Sequence, residues 1–287
     1  MQNNAIYSNI TWNLRGRLYT LDGPRVMGIL NITPDSFYAG SRLTHESEIL
    51  ERATRMAEEG VDLFDVGGYS TRPGASAVEE AEELRRVLPA IEILTQHFPD
   101  KPVSIDTFRS SVARKAVEAG ALLINDVSGG ELDPRMMETV AGLNVPYILM
   151  HMRGTPETMS SLATYTNLLK EMTTYFHQKV DKLRQLGVRD IILDPGFGFA
   201  KVGDQNFELL RNLSVFQTFR LPILVGLSRK SMIWRTLSIE AEAALNGTTA
   251  LHMVALQQGA RLLRVHDVKA ARECIQLFDR LYPTLTA

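Results

Sequence analysis

Eight short apolar runs, separated by longer stretches of helical periodicity, constrain this chain more than any other feature. They span residues 26–30, 63–66, 103–105, 122–125, 147–150, 191–193, 223–225 and 262–265. Several show little polar alternation, as expected of parallel strands buried on both faces. The intervening stretches 46–59, 79–96, 110–119 and 168–186 are long enough to serve as crossover helices. Eight strands, each followed by helix within roughly 250 residues, predict a single-domain α/β fold, the (β/α)₈ TIM barrel, rather than an open sheet. No Pro/Gly/Ser-rich linker divides the 287 residues, so 25–287 is read as one barrel domain. Residues 1–24 form an extension in which Ile10–Leu14 and Arg17–Leu21 flank Arg15-Gly16, predicting a β-hairpin that closes the barrel bottom.

Composition excludes several function classes. A net charge of −2 gives no whole-molecule attraction to nucleic acid or anionic membrane, and no basic-aromatic stripe appears. The one cysteine, Cys274, cannot form an internal disulfide or a thiolate metal cage, and its apolar helical setting predicts a packed thiol. No apolar run approaches membrane-spanning length and no signal-peptide pattern opens the chain, so the expected location is the cytoplasm. There is no P-loop, no G-x-G-x-x-G after the first run and no G-x-S-x-G elbow. The six histidines lack the close spacing of a zinc site.

Polar residues follow all eight runs, and the fold would gather them at one barrel face. The first run leads into Asn31-Ile32-Thr33-Pro34-Asp35-Ser36-Phe37, and the second, through Asp65, into Gly67-Gly68-Tyr69-Ser70-Thr71-Arg72-Pro73-Gly74. The others end at Asp106-Thr107, Asn125-Asp126, His151, Asp194-Pro195-Gly196, Gly226-Leu227-Ser228-Arg229-Lys230 and Arg264-Val265-His266-Asp267. Capping and turn chemistry explain any one of these but not easily all eight. Strands seven and eight are neighbours in a barrel, so Ser228, Lys230, Arg264 and His266 predict an anion site there, ahead of the plainer reading of two surface cations capping helices. Asp106, Asn125 and Asp194 face the same mouth and suit the amidine-like edge of an aminopyrimidine. The competing reading of Asp106 and Asn125, as N-caps of the next helices, is about equally supported by their positions alone. Asn31 is a candidate ligand for Mg²⁺ bridging substrate phosphates, since that ion needs only one or two protein oxygens. His151 is as readily a packing residue as a catalytic one.

Taken in order, NITPDSF (31–37), STRPGA (70–75), SIDT (104–107), INDVSGG (124–130), MHMRGTP (150–156), LDPGFGF (193–199), GLSRKS (226–231) and RVHD (264–267) resemble the dihydropteroate synthases of the pterin-binding enzyme family. The resemblance covers about residues 26–268. It implies an enzyme of folate biosynthesis that joins a pterin diphosphate to p-aminobenzoate and is a target of sulfonamides. It further implies that Asp106, Asn125, Met150, Asp194, Phe199, Gly226, Lys230 and Arg264 hold the pterin. Asn31, Thr71, Arg72, Arg264 and His266 would meet the diphosphate, with Mg²⁺ at Asn31. Phe37, Thr71, Arg72, Pro73, Phe199 and Ser228 would form the p-aminobenzoate pocket, completed by Asp35. The chemistry would fall to Asp106, Asp35, Lys230, Arg264 and His266.

Two departures stand out. The family usually has Glu where this chain has Tyr69, and its first loop usually continues Ser-Asp-Gly-Gly where this one has Tyr38-Ala39-Gly40-Ser41. Tyr69 reads first as variation away from the chemistry, and second as altered handling of p-aminobenzoate or its sulfonamide mimics. Two other functions compete: a pterin-dependent methyltransferase on the same barrel, which needs no diphosphate clamp, and a non-catalytic pterin-binding paralogue. Apolar faces on 246–258 and 270–281, with the resemblance, point to a homodimer.

Overall fold

Eight parallel strands form the expected barrel: β3 (Arg25–Asn31), β4 (Leu63–Gly67), β5 (Val103–Asp106), β6 (Leu123–Asp126), β7 (Tyr147–Met150), β8 (Ile191–Asp194), β9 (Leu224–Val225) and β10 (Leu262–Val265). They lie in the order β8-β7-β6-β5-β4-β3-β10-β9. The ring closes where Ile223, just before β9, bridges to Leu193 of β8, and Leu193 N donates to Pro222 O at 2.9 Å. The computed structural model describes residues 10–32, 42–69, 78–155, 157–159 and 161–283, with the side chains of 42–45 set aside. Asp35, Phe37, Thr71, Arg72 and Pro73 therefore lie outside the described residues. No described helix is long and apolar enough to cross a membrane.

The helical shell is α1 (Arg42–Glu58), α2 (Glu80–His97), α3 (Ser110–Glu118), α4 (Met136–Leu143), α5 (Leu168–Gln185), α6 (Gln205–Arg211), α7 (Ser231–Leu237), α8 (Leu245–Gln257) and α9 (Val268–Leu281). The expected helices agree with α1, α2, α3, α5, α8 and α9 to within a few residues. The short helices α4, α6 and α7 have too few turns to stand out by periodicity.

Strand parity divides the barrel cleanly. Val26, Leu30, Phe64, Val66, Ile105, Ile124, Leu149, Leu193, Val225 and Val265 point outward and share one core with the helices. The alternate residues Met27, Leu63, Leu123, Ile148, Ile192, Leu224 and Leu262 point inward and form a second, separate cluster at the N-terminal end of the barrel. That cluster is finished by the antiparallel hairpin β1 (Ile10–Leu14) and β2 (Arg17–Leu21), which contributes Trp12, Leu14 and Leu21. Arg15 and Gly16 turn the hairpin with φ of 53° and 93°, the left-handed pair a two-residue turn needs. Asn13 N donates to Asp190 Oδ2 at 2.7 Å, tying the plug to the residue before β8. Each fully buried large aliphatic side chain contributes roughly 1.5–3 kcal/mol, so the plug and this inner layer anchor the barrel from below.

Two buried sulfur and imidazole groups sit in the outer shell. Cys274 is a free, buried thiol on α9, and burial pushes its pKa up to about 11, as suits packing rather than reactivity. His252 on α8 is 2% exposed, and neither ring nitrogen has a hydrogen-bond partner. Burial pulls its pKa down to about 4, against the opposing pull of Asp267. The unfolded chain therefore binds this proton more readily between pH 6.5 and 4, and the contribution of His252 to stability falls as pH drops through that window. His252→Leu should gain on the parent by up to about 1.4 kcal/mol per pH unit there, read from denaturant midpoints. Parallel pH curves for the two proteins would refute this account of His252.

Candidate active site

The inward parity that buries leucine at the barrel bottom delivers polar groups at its top. Following β3, β4, β5, β6, β7, β8 and β10 two residues at a time leads from Met27 to Asn31, from Leu63 to Asp65, and onward to Asp106, Asn125, Met150, Asp194 and Arg264. A cleft of about 860 Å³ opens above them. Asn31, Asp106, Asn125, Met150, Asp194, Phe199, Gly226, Ser228, Lys230, Arg264 and His266 all line it, so the described residues that the family resemblance assigns to substrates and metal come together in one place, while His151 does not line it.

A buried ionic layer forms the floor. Arg264 Nε donates to Asp65 Oδ2 at 2.6 Å, and its Nη2 donates to Asp106 Oδ2 at 2.6 Å. Asn125 Nδ2 donates to the same Asp65 oxygen at 3.0 Å. Burial pushes the Asp106 carboxyl well above the usual range; Arg264 opposes this, while Asp65, Glu83 and Asp126 add to it. Asp194 is likewise raised by burial, with the Gly196 N–H, Lys230, Arg264 and Lys201 pulling it back. Neither Asp106 nor Asn125 caps a helix: Arg109 and Arg135 occupy the N-cap positions of α3 and α4, so the capping reading fails. Local capping falls instead to Asp126, which accepts from Ser128 N, Ser128 Oγ, Gly130 N and Tyr147 Oη at 2.7–2.8 Å.

The turn after β8 forms one wall. Gly196 has φ of 68°, and a Cβ there would lie 2.3 Å from His151 O, so both conformation and space require glycine. Asp194 Oδ1 accepts from Gly196 N at 2.8 Å. Beneath the turn Lys201, 3% exposed, donates to Phe199 O at 2.8 Å and Gly196 O at 3.0 Å, and meets His151 Nδ1 at 3.0 Å. Burial pulls the Lys201 pKa down to about 7, with Asp194 acting the other way. Burial first, and Lys201 second, drop the His151 pKa to about 2, so the imidazole is neutral and accepts from the lysine. His151 is thus a supporting residue behind the cleft wall. Above the turn, Lys230 Nζ lies 4.3 Å from the centre of the Phe199 ring.

The opposite wall pairs β9 and β10 as expected. Ser228 Oγ is 3.1 Å from His266 Nδ1 and accepts from His266 N at 3.2 Å. Arg229 turns outward with φ of 55° and forms a two-pronged pair with Asp267 at 2.7 and 2.9 Å. Tyr69 also lines the cleft, with its ring 5.2 Å from Phe108 in an edge-to-face contact. The Arg109 guanidinium is 5.5 Å from the Tyr69 ring and is held below by the fully buried Glu83, which also accepts from Thr107 Oγ1 at 2.6 Å. Tyr69 is therefore part of the cleft wall, which weakens its reading as remote variation.

Comparison with known proteins agrees with this architecture. The model of the pterin binding enzyme family matches residues 27–266. A dihydropteroate synthase of Synechocystis sp. is 44% identical over 260 residues, which is 90% of each chain. The chain belongs to the dihydropteroate synthases of the pterin-binding enzyme family. It is accordingly an enzyme, a transferase. Among solved structures, Xanthomonas albilineans dihydropteroate synthase with 4-aminobenzoic acid superposes with a TM-score of 0.89 at 40% identity, covering 96% of this chain and 99% of that one. Yersinia pestis dihydropteroate synthase in a sulfonamide drug complex gives 0.88 at 39% identity, covering 95% and 99%.

Sequence reasoning passed over Asp65, Lys201 and Glu83, the three buried charges that hold the site residues. Asp65 had a signal, a carboxylate at an inward position of an apolar strand; Lys201 and Glu83 had none, since only tertiary packing buries them. Lys201→Met would strand the carbonyl of Phe199 and leave Gly196 O with the Phe199 N–H alone. It should lower stability by about 2–3 kcal/mol in urea unfolding. An unchanged midpoint would show that the turn holds without it.

Proposed function

We propose that the cleft condenses 6-hydroxymethyl-7,8-dihydropterin diphosphate with p-aminobenzoate, releasing diphosphate before the new C–N bond forms. The observation that carries this reading is the floor of Asp106, Asn125 and Asp194, three acceptor groups on one inward layer. They match the N–H donors of an aminopyrimidine edge. Met150, Phe199 and Gly226 supply flat apolar walls for the ring, with Lys230 and Arg264 at its edges. The 4-aminobenzoic acid bound to the Xanthomonas enzyme and the sulfonamide bound to the Yersinia enzyme support an arylamine pocket and sulfonamide inhibition in this chain.

In this scheme the bond between the pterin methylene and the diphosphate oxygen breaks first, with its electron pair leaving on the diphosphate. Arg264 and His266 stabilise that departing charge, joined by Asn31, Thr71 and Arg72. Asp106 and Asp194 stabilise the cationic pterin left behind. The weakly basic arylamine attacks the methylene and then gives up its proton. It is held by Phe37, Thr71, Arg72, Pro73, Phe199 and Ser228, with Asp35 completing the pocket.

The residues present fit a magnesium ion. Asn31, at the end of β3, lines the cleft and offers one neutral amide oxygen to such an ion, which needs only one or two protein oxygens. Mg²⁺ held at Asn31 would neutralise charge on the diphosphate.

A homodimer is part of the proposal. Leu277 and Leu281, each 63% exposed on α9, with Leu237 and Leu245 on the α7–α8 side, offer apolar surface for a second copy. Light scattering should give a dimer, and Leu277→Asp a shift toward monomer; a monomeric parent would refute it. For the chemistry, mixing the two substrates with Mg²⁺ should release diphosphate, which a methyltransferase would not do. Asp106→Asn should lower kcat by on the order of 10²-fold with a much smaller change in KM. Unchanged turnover would remove Asp106 from the mechanism.

A further inference from the structure

Asp65 is fully buried, does not line the cleft, and sits one inward step below Gly67 on β4, where it faces Ser104 of β5. Its Oδ2 accepts from both Arg264 Nε at 2.6 Å and Asn125 Nδ2 at 3.0 Å. We propose that Asp65 is a positioning residue for pterin recognition: it sets the Asn125 amide with its carbonyl toward the cleft and holds Arg264 against Asp106. This rests on the pterin reading above and adds to it the residue that decides the polarity of the pocket.

The argument is one of donors and acceptors. The Asp65 oxygen is already an acceptor for a guanidinium N–H, so the Asn125 atom facing it must be the NH₂ group. The amide therefore has one orientation, and Asn125 Oδ1 is left buried with no partner on the wall of the cleft. A buried carbonyl without a partner is a standing demand for a ligand N–H. Were the amide reversed, the same position would offer a donor and repel the donor edge of an aminopyrimidine. Asp65 also fixes the guanidinium plane: with Nε on Asp65 and Nη2 on Asp106, Arg264 cannot swing without breaking two charge-assisted bonds.

The test removes the shared acceptor and then restores it. Asp65→Leu keeps the volume but leaves Arg264 Nε and Asn125 Nδ2 without the oxygen that both share. Its Kd for 6-hydroxymethylpterin, measured by calorimetry, should weaken at least tenfold. Asp65→Asn keeps that acceptor: its amide oxygen can take both hydrogen bonds, while its NH₂ replaces Oδ1, which has no hydrogen-bond partner. Its affinity should stay within about threefold of the parent, and this arm stands even if Asp65→Leu fails to fold. Parent-like affinity in Asp65→Leu overturns the proposal, as does a tenfold loss in folded Asp65→Asn. A parent protein that binds no pterin overturns the functional reading itself, a result distinct from any pattern among the variants.

Discussion

The structure depends on a guanidinium buried between two carboxylates inside a barrel. Arg264 reaches from β10 to Asp65 on β4 and Asp106 on β5, passing β3 and tying both sides of the barrel interior together. Removing three charges from water costs several kcal/mol per ion, which only close geometry and further hydrogen bonds can offset. Asn125 supplies one such bond to Asp65, and the open cleft leaves Asp106 and Arg264 some access to solvent. The layer therefore contributes less to stability than to placement. It stands on the apolar layer of Met27, Leu63, Leu123, Ile148, Ile192, Leu224 and Leu262, sealed below by Trp12. That lower layer stabilises the fold and lets the upper one remain polar.

Much of this was legible in the sequence because strand parity is simple. Once eight apolar runs are read as buried parallel strands, period two places Asp106, Asn125, Asp194 and Arg264 on the inner face, and the pairing of the last two strands brings Ser228 to His266. The hairpin was legible for the same reason, its two runs flanking a turn that needs positive φ. The ordered motifs then supplied the family.

What stayed hidden has a common physical character. Lys201 reads as an ordinary lysine after a glycine-rich turn, yet its ammonium is spent on the carbonyls of Gly196 and Phe199 and on a neutral imidazole 50 residues away. Glu83 reads as one of several acidic residues opening α2, yet it is fully buried under Arg109 and Thr107. Such residues are identified by what surrounds them, and a surface glutamate or lysine has the same local signature. Tyr69 was visible as a departure but not as a wall, because its contact with Phe108 joins residues on successive strand exits.

These hidden groups also hold the residues that line the cleft. Asp194 is held by the Gly196 amide, whose turn is held by Lys201, whose remaining partner is His151 on the next strand. Asn125 is oriented by Asp65, and Ser228 is tied to His266. Asp194, Asn125 and Ser228 thus each have a partner that limits their rotation. A pocket built this way forgoes much of the entropy loss that ordering flexible side chains on binding would entail. The same rigidity limits what the pocket accepts, since acceptors fixed at Asp106, Asn125 and Asp194 cannot turn to suit a ligand that presents acceptors of its own. On the pterin reading proposed above, selectivity for a donor-rich ring edge follows from the burial of Asp65 and Lys201 as much as from the acceptors themselves.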